Sequence, residues 1–217
     1  IFDEPSSARL SGFNKEVQNI LTSGDGEWIM DYYCGVGGYC YYLKFTDKEV
    51  TATVELDTEN SYTSLYKLTT DNGPVLSFDT YNPALHFFAT PSSSLYQGMQ
   101  GDFEFSILRY SQDEVLLLGK RSRWYSVLRR VDAPLDPIKF VGDITYLTEG
   151  FRATTFQGTI GDLAVSGSVD LNYRTIRIEY GPGEDDAVEQ PFVFTPECIR
   201  LYETVTIDGC SSDFLWY

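Results

Sequence analysis

Hydrophobic positions recur along this chain in two periods. Between residues 6 and 22, Leu10, Phe13, Val17, Ile20 and Leu21 return at spacings of three and four, which places one apolar stripe on a helix. Ser6 or Ser7 supplies a cap at its start, and Gly24 stands where the helix would stop. From Glu27 the period changes to two. Trp28, Met30 and Tyr32 fall on one face and Ile29, Asp31 and Tyr33 on the other, as in a strand. A tryptophan on the first strand of a meander is a large apolar body for later strands to close around. The remainder of the chain reads as organised about it.

Alternating segments follow in close succession. Tyr39, Tyr41, Leu43 and Phe45 line one face of the second strand, and Asp47-Lys48 turns the chain into Val50, Ala52, Val54 and Leu56. Tyr62, Tyr66 and Leu68 lead to Asn72-Gly73, a strong turn dipeptide, before a strand from Val75 to Thr80. Tyr81 to Gln100 holds Pro83, Pro91, three consecutive serines and Gly98, so it is expected to be a long loop with a helical turn near Leu85. Phe103, Phe105 and Ile107 then alternate with acidic and hydroxyl residues, and strands at Val115 to Gly119 and Trp124 to Arg130 complete the run. Roughly eight neighbouring strands at intervals of about 8–12 residues predict an all-β, antiparallel up-and-down barrel or curled sheet of lipocalin-like form. A sandwich is the runner-up. Trp28, Tyr41, Phe45, Phe78, Phe103 and Phe105 are the expected core.

Pro134 and Pro137 break the pattern, and Asp136-Pro137 opens a second helix signal carrying Ile138, Val141, Ile144 and Leu147. Strands resume at Phe151 to Phe156, Leu163 to Leu171, Thr175 to Tyr180, Phe192 to Thr195 and Ile199 to Ile207, with a turn at residues 181–186. The expected division is therefore residues 1–134, a helix with a barrel-like sheet, and residues 135–217, a short helix with a smaller β unit.

Composition narrows the function classes. The 217 residues carry 32 acidic against 16 basic side chains, a formal net charge of −16, which disfavours nucleic acid and anionic lipid surfaces. No stretch approaches the roughly 20 apolar residues of a membrane helix. The chain starts at Ile1 without a visible leader, so a processed form is expected. Aromatic residues make up 15%, led by 16 tyrosines, which suits both β propensity and a surface for stacking on sugar rings.

Chemistry-bearing patterns are few. The four cysteines, Cys34, Cys40, Cys198 and Cys210, permit three pairings, and local bridges Cys34–Cys40 and Cys198–Cys210 are expected. Zinc is disfavoured because the spacings of a structural site are missing and His86 is the lone histidine. No metal or cofactor is expected. A nucleophile elbow, a dinucleotide fingerprint and a P-loop are all absent from the sequence. A carboxylate pair for glycoside hydrolysis remains open among so many acidic residues. Glu184-Asp185-Asp186 offers at most weak calcium binding, without the spacing of a dedicated loop.

Several blocks resemble a Bacteroidetes lipoprotein family built on a domain of unknown function. They are Ile1-Phe2-Asp3-Glu4 with Arg9-Leu10, Gly26 through Tyr33, Gly37-Gly38-Tyr39 with Lys44-Phe45, Gly73 through Pro83, Gly101 through Phe105 and Pro191 through Pro196. Membership implies a lipoprotein signal and genes often beside SusC-like and SusD-like glycan-uptake pairs; it implies no catalytic residue set. The lipidated cysteine of that pattern is absent, which fits a chain beginning just after its anchor. The four cysteines stand where the family pattern has other residues.

The expected function is a non-enzymatic accessory lipoprotein of the outer membrane, cell surface or periplasm. It would bind a glycan, another small ligand or a protein partner of an uptake complex. A carboxylate-pair hydrolase and a purely structural subunit are the alternatives. An exposed aromatic cluster of Tyr33, Tyr39, Tyr42 and Trp124 at one barrel end is the expected contact surface. The connections Cys34 to Cys40 and Tyr81 to Gln100 would flank it, the second as a flap.

Overall fold

The computed structural model describes residues 6–71, 73–160, 162–183, 186–207 and 209–216, with side chains described for residues 12–215 among these. Several sequence expectations lie outside them: the Ile1-Phe2-Asp3-Glu4 block, the Ser6 or Ser7 cap, the Leu10 side chain, Asn72 of the Asn-Gly turn, and Glu184-Asp185.

The chain opens with α1 (Ser6–Thr22) and continues through β1 (Glu27–Cys34), β2 (Gly37–Phe45), β3 (Glu49–Val54), β4 (Asp57–Leu65), β5 (Lys67–Thr70), β6 (Pro74–Ser77), β7 (Glu104–Tyr110), β8 (Glu114–Gly119) and β9 (Tyr125–Arg130). These nine form one antiparallel sheet in the order β4-β3-β2-β1-β9-β8-β7-β6-β5. Sequence neighbours pair throughout, and β1 also pairs with β9, Trp28 opposite Arg130 and Asp31 opposite Val127. Only Tyr66 separates the two edge strands. β4 pairs with β3 and β5 with β6, so together they are one strand bent at Tyr66, and the sheet curls back on itself as an up-and-down ring.

Side chains of one parity fill the ring. Trp28, Met30, Tyr32, Tyr41, Leu43, Phe45, Phe78 and Phe105 are buried together, as the alternation predicts. α1 closes one end through Val17, Ile20 and Leu21. The Trp28 indole N–H donates to Leu21 O at 2.9 Å, and Arg130 donates to Ile20 O and Ser23 O at 2.8 and 3.0 Å. Those carbonyls lie at the C-terminal end of the helix, where a cation meets the negative end of the dipole.

Residues 78–103 cover the opposite end. The Tyr41 hydroxyl donates to Ala84 O at 3.1 Å, and Tyr32 donates to Asp102 O at 3.0 Å while accepting from Asp102 N at 2.7 Å. Asn82 fastens the segment from inside: its amide donates to Tyr62 O and Ser64 Oγ, and its oxygen accepts from the N–H groups of Ala84 and Leu85. This stretch, expected to act as a flap, is thus a packed plug containing a short 3-10 turn at Phe87–Ala89. With both ends filled, the ring is a core, not a ligand chamber.

After α2 (Pro137–Gly150) come β10 (Thr155–Ile160), β11 (Leu163–Asp170), β12 (Thr175–Glu179), β13 (Ala187–Phe194), β14 (Cys198–Ile207) and β15 (Cys210–Trp216), a second curled antiparallel sheet in sequence order. Asp136 caps α2 by accepting from Lys139 N at 3.1 Å, and Pro137 occupies its first turn. Phe140, Val141 and Ile144 bury its inner face.

The second core contains residues of the first sheet, since Cys40 and Tyr42 of β2 pack among Phe192, Phe194 and Ile199. β1 and β2 are therefore buried on both faces, one against the ring's interior and one against the second sheet. Three expectations are overturned. Tyr33, Tyr39 and Tyr42 are buried, not displayed to solvent. Leu56, expected to face the core, is exposed because β3 ends at Val54 and Glu55-Leu56 form the turn. Phe103 lies half-buried ahead of β7, stacked on His86 at 4.6 Å.

The disulfide expectation is also corrected: all four cysteines are free. Cys34 points into the ring with Trp28 and Tyr32, whereas Cys40 points away from it beside Tyr42. Two thiols on opposite faces of a sheet cannot bond without turning a strand over. Cys198 lies opposite Trp216 and Cys210 opposite Ile207, at the two ends of the β14–β15 ladder.

Candidate functional site

The Gly-rich link between β1 and β2 is where the two sheets meet. Gly37 has φ +106, and a side chain there would strike the backbone of Tyr173 and the Cβ of Arg174. Glycine is required both by the dihedral and by this close approach. The β11–β12 turn thereby reaches the plugged end of the ring.

Arg174 fixes that turn. It is buried, holds φ 46 and places its guanidinium 4.1 Å above the Tyr39 ring. Its two terminal nitrogens donate to the two oxygens of Glu55 at 2.9 Å each, and one also donates to Gly38 O at 2.9 Å. Glu55 accepts in addition from Cys40 N at 2.7 Å. A second ionic link lies nearby: Asp31, buried on β1, accepts from Arg200 of β14 at 2.8 Å and from Arg129 of β9 at 3.3 Å. In both links the carboxylate comes from the first sheet and an arginine from the second. Buried charges are tolerated only when paired and hydrogen-bonded in this way.

Between these parts opens a cleft of about 320 Å³, lined by Gly35, Trp124, Asp170, Tyr173, Glu189 and Pro191 among others. Trp124, from the turn before β9, is half-buried and packs edge-on against Tyr202 at 5.4 Å; Tyr202 in turn packs against Tyr33 at 4.7 Å. The Tyr202 hydroxyl accepts from Tyr125 N at 3.1 Å. Tyr33 thus supports Trp124 through Tyr202, while Trp124 itself lines the cleft. Tyr173 also lines the cleft, with 57% of its surface exposed. Asp170 Oδ1 accepts from Asn172 N at 2.8 Å and Tyr173 N at 3.2 Å, which shapes the turn that presents this ring.

Of the four aromatics expected to form the contact surface, Trp124 lines the cleft, Tyr33 braces it from behind, Tyr39 lies beneath Arg174 and Tyr42 belongs to the second core. The two connections expected to flank a site do meet, since Gly35 N donates to Met99 O at 3.0 Å and Tyr39 packs on Phe88 at 4.3 Å. Sequence reasoning missed Tyr173. Its signal was an aromatic residue in an Asp-x-Asn turn between two alternating strands, where no packing role calls for one.

Burial pushes the Cys34 thiol up to about 12, so it stays protonated and un-nucleophilic although it lines the cleft floor. His86 lies in the plug, its ring stacked on Phe103. Among the described residues no group of three or more His, Cys, Asp or Glu side chains is placed to hold a metal ion. No helix among them is long and apolar enough to cross a membrane.

The chain belongs to the family defined by a domain of unknown function, DUF4302, whose profile matches residues 1–216. No curated protein and no solved structure matches it.

Proposed function

We propose that this protein is a non-enzymatic accessory lipoprotein of the outer membrane, exposed at the cell surface or facing the periplasm, that binds a glycan in the cleft between its two sheets during nutrient uptake. The observation that carries the reading is a cleft lined by two aromatic rings, Trp124 and Tyr173, with the carboxylates of Asp170 and Glu189 and the hydroxyl of Thr175 beside Cys34 and Pro191. Aromatic faces stack on the apolar faces of sugar rings, and the polar groups meet their hydroxyls. Ion pairs on two buried carboxylates, Glu55 and Asp31, and a glycine contact hold the two sheets together beside the cleft, so little order has to be imposed on binding. The lipid anchor and the uptake setting follow from the sequence blocks that resemble the Bacteroidetes lipoproteins.

The rival reading, hydrolysis by a carboxylate pair, would use Asp170 and Glu189. A glycosidase keeps one carboxyl protonated in an apolar pocket, and both of these side chains are solvent-exposed. Glycan-array binding followed by product analysis separates the readings. Retention of a glycan without turnover, reduced at least about tenfold by Trp124→Ala or Tyr173→Ala, is the expected result. Release of shorter sugars would establish the enzyme. Failure to retain any glycan would leave a structural subunit.

A further inference from the structure

The cleft is one end of a longer surface. On β10 to β13 the residues of one parity, Val165, Val169, Ile176, Ile178 and Phe192, point into the second core. The opposite parity points outward, and the strand register arranges it in rows across the sheet. Asp170, Thr175 and Pro191 form the row at the cleft. Thr155, Ser168, Arg177 and Glu189 form the next. Gln157, Ser166, Glu179 and Ala187 form the third. Almost every side chain in these rows is short or polar.

Two grooves lie on this face beyond the cleft. One, of about 630 Å³, runs over Thr155, Gln157, Ser166, Ser168 and Glu179. The other, of about 400 Å³, shares Gln157, Ser166 and Glu179 with it and ends at Tyr180 and Gly181. Asp170 of the cleft is two residues from Ser168 on the same face of β11. From Asp170 to Ser166 the strand advances by about 13 Å at its usual rise. Cleft and grooves therefore make one track leading away from Trp124 and Tyr173.

The charges on the track select its occupant. Asp170, Glu179 and Glu189 stand against the single cation Arg177, which bonds Glu179 at 3.0 Å and reaches Glu189 at 3.9 Å. Arg177 is thus already engaged, and the net acidic face of an acidic protein repels polyanions. No large apolar side chain stands out from the three rows to anchor a hydrophobic peptide. Hydroxyl, amide and carboxylate groups spaced along an open face match a neutral chain of hydroxyl-rich rings.

Resting on the reading of the cleft as a glycan site, we infer that its ligand is an uncharged linear polysaccharide, with one ring held between Trp124 and Tyr173 and the following rings running over β11 and β10. The aromatic pair sets the position of the chain, and the rows of Ser, Thr and Gln side chains add affinity with each ring that reaches them.

Affinity electrophoresis and calorimetry on the whole protein test this with amylose, mixed-linkage β-glucan, linear mannan and unsubstituted xylan, their disaccharide to octasaccharide fragments, and polygalacturonate as the anionic control. The expected result is binding to a neutral polymer, with an octasaccharide held at least about tenfold more tightly than the disaccharide of the same sugar. Ser168→Tyr, which blocks the track at an exposed position, and Gln157→Ala should remove that advantage and leave disaccharide binding unchanged. Trp124→Ala should weaken both. Circular dichroism checks that each variant is folded. Equal affinity for short and long fragments, or long fragments indifferent to Ser168→Tyr, would overturn the track while leaving the cleft. Absence of binding to every neutral glycan would overturn the cleft reading itself, and preference for polygalacturonate would overturn the charge argument.

Discussion

The guanidinium of Arg174 and the carboxylate of Glu55 meet in a two-pronged pair, each prong 2.9 Å, with side-chain exposures of 7% and 1%. They are 119 positions apart in sequence and belong to different sheets. Arg174 also stacks on Tyr39, so one side chain joins the β11–β12 turn, the β3–β4 turn and the inner strand β2.

Removing both members of this pair should cost clearly less than the sum of removing each alone. Glu55→Ala or Arg174→Ala leaves a buried charge without its partner, and a loss of about 3–5 kcal/mol is expected for each. The double variant should lose clearly less than the sum, because neither charge is then stranded. Urea titrations of the four proteins measure this, and simple additivity would show that the pair is not coupled.

Arg130 should stabilise α1 through its terminal carbonyls. Arg130→Ala removes three charge-assisted hydrogen bonds, to Ile20 O and Ser23 O at the end of α1 and to Gln112 O, and the stacking on Trp28 at 4.2 Å. A loss of about 2–4 kcal/mol is expected from bonds of this kind, with Arg130→Lys recovering only part of it. Thermal unfolding would show the difference, and an unchanged midpoint for Arg130→Ala would remove Arg130 from the account of how α1 is held.

Thiol accessibility gives a direct check on the cysteine assignments. An aromatic disulfide reagent should titrate four thiols in the unfolded, unreduced protein. In the native state it should label Cys210 rapidly and spare Cys34, Cys40 and Cys198, which are buried. Burial pushes the Cys34 thiol up to about 12, so raising the pH to 9 should not make it reactive. Fewer than four titratable thiols would restore a disulfide.

His86 is the single histidine of the chain, so its titration can be read without overlap. Burial lowers its pKa, outweighing the bond to Asn82 that raises it. The unfolded chain therefore binds the proton first as pH falls from about 6.5. The contribution of a neutral His86 to stability is complete above that pH and is lost as pH falls toward and through the lowered native value. A ring-proton NMR titration should place the midpoint below about 6.5, and His86→Phe should flatten the acid side of the stability profile in that window. A midpoint above the free value would reverse the sign.

What the sequence determined by itself was local order. Side-chain parity in a strand and the stripe of a helix depend on residues a few positions apart, so α1, α2 and most strands could be read directly, along with the inward faces around Trp28. The break at Pro134 falls between the last strand of the first sheet and α2, which opens at Pro137, for the same reason. Tertiary structure decided everything that required knowing what covers an outward face. Tyr33, Cys40 and Tyr42 alternate like surface residues of a barrel, yet the second sheet lies on them, and nothing within a few residues of β2 encodes that contact. The same packing separated Cys34 from Cys40, paired Asp31 with Arg200 across 169 positions, and left Trp124 and Tyr173 facing one cleft from turns in different sheets. Such contacts arise from how two curled sheets dock, and that depends on the shape of both surfaces at once.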